Sequence, residues 1–358
     1  MQSQPTPAAR QALAEPPYRN YLVFLLFFGV PLLFALYTQH AWEDWYITFR
    51  ASKNLALGNG LVFQPGERLH TFTSPLGTLI PALLAWLTGG QADEAVLWLF
   101  RGLNCVLSGL TGLLTWQIGR ALHRFSFTTW FMLLLLAVDA KLIDNSINGM
   151  ETAIVVFFLT LTVHSLVITR QGRYLALAMA GLMWSRPDGF MYVSGLLMGI
   201  LIWGNRLAPD ASRSSWFGLI LRAGLLALLL YAPWLAWASW YYGTPIPNTV
   251  VAKGIGVSAS LGELLGSMAA FPLEALFGAK GRLHLLFTPT YPEFGGWPLR
   301  LYTVSKGLTL LAIGYWLIPK VSTWGKVFSL MAFISVLYLS TIKYPYPWYI
   351  PLGTFACI

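Results

Sequence analysis

Charge is what this sequence has least of. Only 10% of its 358 residues are Asp, Glu, Lys or Arg, where a soluble domain carries about 25%. A chain this poor in charge cannot clothe a water-soluble surface, so a soluble globular protein is excluded. Cysteine is scarce as well. Cys105 and Cys357 both lie in apolar stretches, which leaves no disulfide framework. No CxxC, HExxH, Walker or Rossmann pattern occurs, so nucleotide and zinc chemistry find no anchor. No nucleic-acid partner is expected. What is abundant is apolar: 56% of residues are hydrophobic, with 16 Trp and 16 Tyr, and the mean hydropathy is +0.60. That composition describes an all-α polytopic membrane protein, with Trp and Tyr available for belts at the two interfaces.

Apolar runs of spanning character begin at Tyr21–Tyr37, Ala95–Gly119, Phe125–Val138, Thr152–Thr169, Tyr174–Trp184, Gly189–Trp203, Trp216–Trp240, Leu301–Ile318 and Val327–Thr341. Another opens at Trp348 and stops at Ile358, too short to cross. A crossing takes roughly 20 residues, about 17 at the short end. The expectation is about nine or ten transmembrane helices in a single domain over residues 21–358, behind a cytoplasmic tail at 1–20. Residues 1–20 show no cleavage site after an apolar core, unlike a signal peptide. Ser74–Leu87 is apolar but short, and is expected as a juxtamembrane or re-entrant helix.

The charges choose an orientation. With residue 20 inside and the chain alternating, the inner segments hold 11 of the 23 basic residues and 2 of the 14 acidic ones. The outer segments hold 12 of each. This is the asymmetry of the positive-inside rule. Nearly all ionisable groups fall in loops or near helix ends. A proton-coupled transporter buries acids near the midplane, so the placement favours chemistry at the outer membrane–water boundary.

The first outer loop, residues 39–94, carries Glu43 and Asp44 just past the first span. Two adjacent carboxylates there are costly to desolvate and contribute nothing to spanning. Either they are solvated loop acids, or chemistry at that face needs a carboxylate. Trp42, Trp45, Tyr46 and Phe49 follow at i, i+3, i+4 and i+7, which predicts a helix lying in the interface, aromatic side down. Its acidic start and its basic end at Arg50 form a wall able to hold an attacking hydroxyl and an anionic head group. His70 stands in the strip that follows. Glu151 is placed to cap the next helix, where a carboxylate suits the dipole. Pro187 breaks an apolar stretch; Arg186 and Asp188 beside it form a structural pair, or Arg186 meets a phosphate. The longest outer loop, residues 241–300, opens with Tyr242 and Asn248 and continues to Lys253, Lys280, Arg282 and His284. Its cations suit a phosphate and its aromatics suit a sugar or a lipid groove.

Several of these stretches, in this order, resemble one family. Glu43-Asp44-Trp45-Tyr46-Ile47-Thr48-Phe49-Arg50, Gly58-Asn59-Gly60-Leu61-Val62-Phe63, Pro65-Gly66-Glu67-Arg68 and Thr73-Ser74-Pro75-Leu76 resemble the first-loop signature of GT-C glycosyltransferases. Gly149-Met150-Glu151-Thr152, Arg186-Pro187-Asp188-Gly189 and Tyr242-Gly243-Thr244-Pro245-Ile246-Pro247-Asn248-Thr249 match later landmarks. The branch is the bacterial arabinofuranosyltransferase-like one, which also contains flagellar motor control proteins. The resemblance covers residues 21–254 well and the rest weakly.

It implies a GT-C-like helical bundle with juxtamembrane helices in the first outer loop. It implies a multi-pass enzyme of the bacterial inner membrane, with its site facing the periplasm or cell exterior. The donor would be a polyprenyl-phosphate sugar (arabinofuranose among the candidates) and the acceptor a glycan, lipid or protein. By position Asp44 is the catalytic base, with Glu43 beside it. Arg186, Lys253 and Arg50 are the donor-phosphate candidates, and His70, Glu151, Asp188, Tyr242 and Asn248 the substrate-binding ones. The resemblance fixes no cofactor; a divalent cation (Mg or Mn) would suit the Glu43–Asp44 carboxylates. Two other classes compete: a non-catalytic membrane scaffold of GT-C descent, and a lipid or small-molecule transporter. A scaffold has no use for an intact acid pair, and the loop-biased charges weigh against a transporter.

Overall fold

The computed structural model describes residues 17–122, 126–207, 212–252, 262, 285–290, 296–341 and 347–358. The helices, in chain order, are α1 (Pro17–Thr38), α2 (Glu43–Ala56), α3 (Pro75–Leu87), α4 (Asp93–Leu122), α5 (Ser126–Ala137), α6 (Ala140–Ile147) and α7 (Thr152–His164). They continue with α8 (Gly172–Ser185), α9 (Gly189–Leu207), α10 (Arg213–Tyr242), α11 (Asn248–Ala252), α12 (Leu299–Gly314), α13 (Thr323–Thr341) and α14 (Ile350–Cys357). No strand occurs among the described residues. The protein is an all-α polytopic membrane protein.

Among the described residues, five helical segments are long and apolar enough to cross a bilayer: Tyr18–Thr38, Asp93–Leu122, Thr152–Thr169, Gly189–Leu207 and Arg213–Tyr242. The third reaches its length because α7 runs on into a π-helical turn, Ser165–Thr169. Arg170, left-handed at φ 49°, ends it. The runs expected to span at 125–138 and 174–184 form helices of 12 and 14 residues, shorter than the roughly 20 a crossing takes. α8 stops at Ser185 because Arg186 turns extended, as a residue before proline prefers. α3 has 13 residues, the short helix its sequence suggests, and Ser74 caps it by accepting from the Gly77 amide at 2.8 Å.

The chain divides into two compact units. The first comprises residues 1–138, 143–189 and 222–250. Within it α4 packs along α1 and α7, α7 along α8, and α2 on α3. Glycines set the α1–α4 approach: a Cβ at Gly109 or Gly112 would lie 2.6 or 2.5 Å from the rings of Phe24 and Phe27. Without a hydrophobic drive between spans, such close backbone packing is what holds them. α2 departs from expectation. Trp45 and Phe49 do not point into lipid. They are buried, stacked on each other at 4.9 Å and, through Trp45, on Phe100 of α4 at 5.4 Å. Tyr46, expected on the same face, is 59% exposed. α2 packs its inner face on α4 and α3, and Ser52 fastens it to α3 by donating to the Thr78 carbonyl at 2.8 Å.

The second unit comprises residues 139–142, 190–221 and 251–358. α13 joins α12 through Ser329, which donates to the Ala312 carbonyl at 2.7 Å. α9 approaches α13 at Gly195, where a Cβ would meet the Leu330 carbonyl oxygen at 2.7 Å. Lys141 is fully buried, paired with Asp139 at 2.9 Å and donating to the Thr288 carbonyl. Thr354 donates to the Leu286 carbonyl at 2.7 Å and so ties α14 to the same short segment.

Candidate functional site

The acid pair starts α2, and the way that helix starts places it. After α1 the chain reaches Trp42, whose amide donates to the Asn148 carbonyl at 3.0 Å. Its indole N–H donates to Asp144 Oδ2 at 3.1 Å. The Asn148 side-chain amide donates to the other oxygen of Asp144. Burial raises the Asp144 pKa, while His40, Trp42 and Asn148 oppose the rise. Glu43 and Asp44 then occupy the first helical turn, where the dipole favours negative charge. Glu43 is exposed and Asp44 half-buried.

The 144–151 segment carries the contact onward. Gly149 stands at φ 94°, and a Cβ there would lie 2.5 Å from the Cβ of Trp45. Only glycine meets both demands. Two residues later Glu151 pairs with Arg186 at 3.1 Å. Glu151 occupies the N-cap position of α7 but makes no capping bond. The expected cap is thus corrected: a nearly buried guanidinium, 5% exposed, claims the carboxylate instead. Arg186 also holds Asp188 with two hydrogen bonds, Nε to Oδ1 at 2.9 Å and Nη2 to Oδ2 at 3.2 Å. One guanidinium therefore stands between two carboxylates. Gly77, at the start of α3, also abuts Glu151: a Cβ there would lie 3.2 Å from the Cβ of Glu151.

A second group gathers on the loop after α2. Arg50 donates from Nε to the Phe63 carbonyl at 3.1 Å and lies over the Phe63 ring at 4.9 Å. Asn54 donates to the Val62 carbonyl at 2.8 Å. His70, expected at a substrate surface, lies in the core at 2% exposure. It stacks on Tyr242 at 4.6 Å and meets Phe72 and Trp234 edge-on. Loss of solvent lowers its pKa from 6.5 to about 4, against a backbone hydrogen bond at Thr244 that raises it. Tyr242 donates from its hydroxyl to the Leu61 carbonyl at 2.5 Å. The Asn248 amide donates to the His70 carbonyl at 2.8 Å, while the Asn248 side chain is exposed. These residues latch the first loop to the segment following α10.

Two sets result. Glu43, Asp44, Glu151, Arg186 and Asp188 are linked through Trp45 and Gly149; Arg50, His70, Tyr242 and Asn248 line the loop beside them. All nine belong to the first unit. Lys253 falls outside the described residues, as do Lys280, Arg282 and His284. Among the described residues no three His, Cys, Asp or Glu side chains gather as a metal site. Sequence reasoning passed over Asp144, Asn148 and Arg101. The readable signal was Arg101, a charge two turns inside an apolar helix.

No family model matches the chain, and no solved structure matches it. The chain is similar to a terminal β-(1→2)-arabinofuranosyltransferase of Corynebacterium glutamicum, with 27% identity over 282 residues, covering 69% of this chain and 38% of the relative. It thus spans under half the length of that curated protein. At that distance the similarity supports a relationship to glycosyltransferases.

Proposed function

We propose that this protein is an inverting membrane glycosyltransferase. It moves a sugar from a polyprenyl-phosphate donor to a cell-envelope glycan, lipid or protein, at the outer face of the inner membrane. The observation that carries the reading is the acid pair in the first turn of α2, seated by Trp42 and Trp45 on the segment that also pairs with Arg186. The distant arabinofuranosyltransferase relative agrees with it, and arabinofuranose is the first sugar to test.

In this reaction Asp44 accepts the proton of an acceptor hydroxyl as that oxygen bonds to the anomeric carbon. The bond from that carbon to the phosphate oxygen breaks on the opposite face, and polyprenyl phosphate leaves with the electron pair. A positioned base contributes about 100- to 10,000-fold. The leaving group gains charge that a cation stabilises. Arg186 already stands between two carboxylates, which makes Lys253 and the exposed Arg50 the better phosphate contacts and gives Arg186 the task of holding the wall together. A monophosphate carries little charge, so these cations can serve without a metal. Should a Mg or Mn ion take part, Glu43 and Asp44 are the oxygen donors suited to it.

The test joins native mass spectrometry of the purified protein with turnover of Asp44→Asn. A co-purifying polyprenyl-phosphate sugar and a loss of transfer worth about 3 kcal/mol or more in activation free energy are expected. Near-full turnover by Asp44→Asn would overturn the assignment of the base.

A further inference from the structure

Arg101 has no place in the reaction as described, yet it is the most deeply buried arginine of the described chain, at 1% exposure on a helix of spanning length. A charge in that setting is costly and calls for a reason. Its hydrogen bonds go to backbone carbonyls: Nε to Ile147 at 3.2 Å and Nη2 to His40 at 2.5 Å. The guanidinium lies over the Trp98 ring at 4.6 Å. His40 stands three residues before Glu43, and Ile147 stands one residue before Asn148. Those two segments are themselves joined, by the Trp42 amide to the Asn148 carbonyl and by the Trp42 indole to Asp144.

We infer that Arg101 is a positioning residue for the acid pair: its planar fork holds the backbone before α2 and the backbone before Asn148 in one register, and so sets where Glu43 and Asp44 project. The inference rests on the proposed role of Asp44. The choice of arginine follows from the geometry. Two carbonyls on different segments need two donors in a fixed plane, and the aromatic face of Trp98 needs a flat cation. A lysine brings its three donors from a single nitrogen on a flexible stem, without the flat, spread fork that reaches both carbonyls while lying against Trp98. Arg101 is buried, and so is its bond to the Ile147 carbonyl, so a substitution there leaves a buried acceptor without its donor. Misplacing a reacting group by about 1 Å costs up to roughly 100-fold in rate.

The experiment uses the full chain in nanodiscs, with a polyprenyl-phosphate arabinofuranose donor and three variants: Arg101→Lys, Trp42→Phe and Asp44→Asn. Arg101→Lys is expected to lower kcat about 10- to 100-fold with KM for the donor unchanged and a monodisperse, folded protein. Trp42→Phe, which removes only the indole donor to Asp144, is expected to lower kcat in the same direction by less. Hydrogen exchange, which needs no turnover, should rise in Arg101→Lys over residues 40–50 and 144–150 and stay unchanged in α12. Wild-type kcat in Arg101→Lys, a rise in KM that accounts for the loss, or unchanged exchange in both segments overturns the inference. Full activity of Asp44→Asn overturns the base instead. An inactive Asp44→Asn beside a fully active Arg101→Lys overturns the positioning role alone.

Discussion

Arg186 shows how a buried ion group constrains its own mutation. Two carboxylates surround one guanidinium, and their side chains are 12% and 20% exposed. Arg186→Met removes the cation that both share and should destabilise the protein by about 3 kcal/mol or more. Adding Glu151→Gln and Asp188→Asn should recover most of that loss in a thermal-unfolding assay in detergent. Donor binding that stays weak after this recovery would mark Arg186 as a phosphate contact as well as a hub. His70 makes a second prediction, in pH. Its folded pKa of about 4 lies below the ordinary 6.5, so the unfolded chain binds the proton more readily. The stability this burial provides is complete above about pH 6.5 and is lost as pH falls towards 4, to an extent of up to about 3 kcal/mol. His70→Phe should flatten the fall in unfolding temperature between pH 7 and pH 5. An unchanged slope would show that other groups control it.

At the scale of elements, α2 is placed by a glycine it does not contain. Gly149 combines a positive φ with a 2.5 Å approach to Trp45. Gly149→Ala should cost about 1–2 kcal/mol for the backbone alone and must also push Trp45 away. Turnover should fall by more than the folded fraction does, because the start of α2 moves with Trp45. Measuring both on one preparation decides it: equal losses would mean that the first turn tolerates the shift. The helix itself was legible, since the spacing of Trp42, Trp45, Tyr46 and Phe49 marked that stretch as helical. Which of its aromatics turned inward was not legible. Tyr46 and Trp45 are neighbours in sequence, and their fates part only where Trp45 packs on Phe49, Phe100 and Gly149 while Tyr46 stays exposed.

Across the whole molecule the charge asymmetry makes the strongest claim, because it sums many residues. The proposed orientation puts Asn59 outside and Lys320 inside. A cysteine at Asn59 should react with an impermeant reagent on intact cells. One at Lys320 should react only after permeabilisation, with Cys105 and Cys357 replaced to clear the background. Labelling of Lys320→Cys alone on intact cells would invert the arrangement. The span count is softer than the orientation. Hydropathy finds apolar runs, but α5 and α8, at 12 and 14 residues, fall short of a crossing by length.

Composition and pattern alone determined the class: too little charge for water, apolar runs for several helices, and acids held to loops and helix ends. These are sums over many residues and survive any error in one boundary. The acid pair was visible for the same local reason, since two carboxylates beside an apolar run stand out without a fold. The partners of those residues were decided only by tertiary structure. Glu151 left its expected cap for Arg186, His70 went into an aromatic core, and Asp144 met Trp42 across 102 positions of chain. Such pairings arise where helices cross, and burial makes each polar group take whichever partner the crossing supplies. Sequence spacing carries no record of that choice.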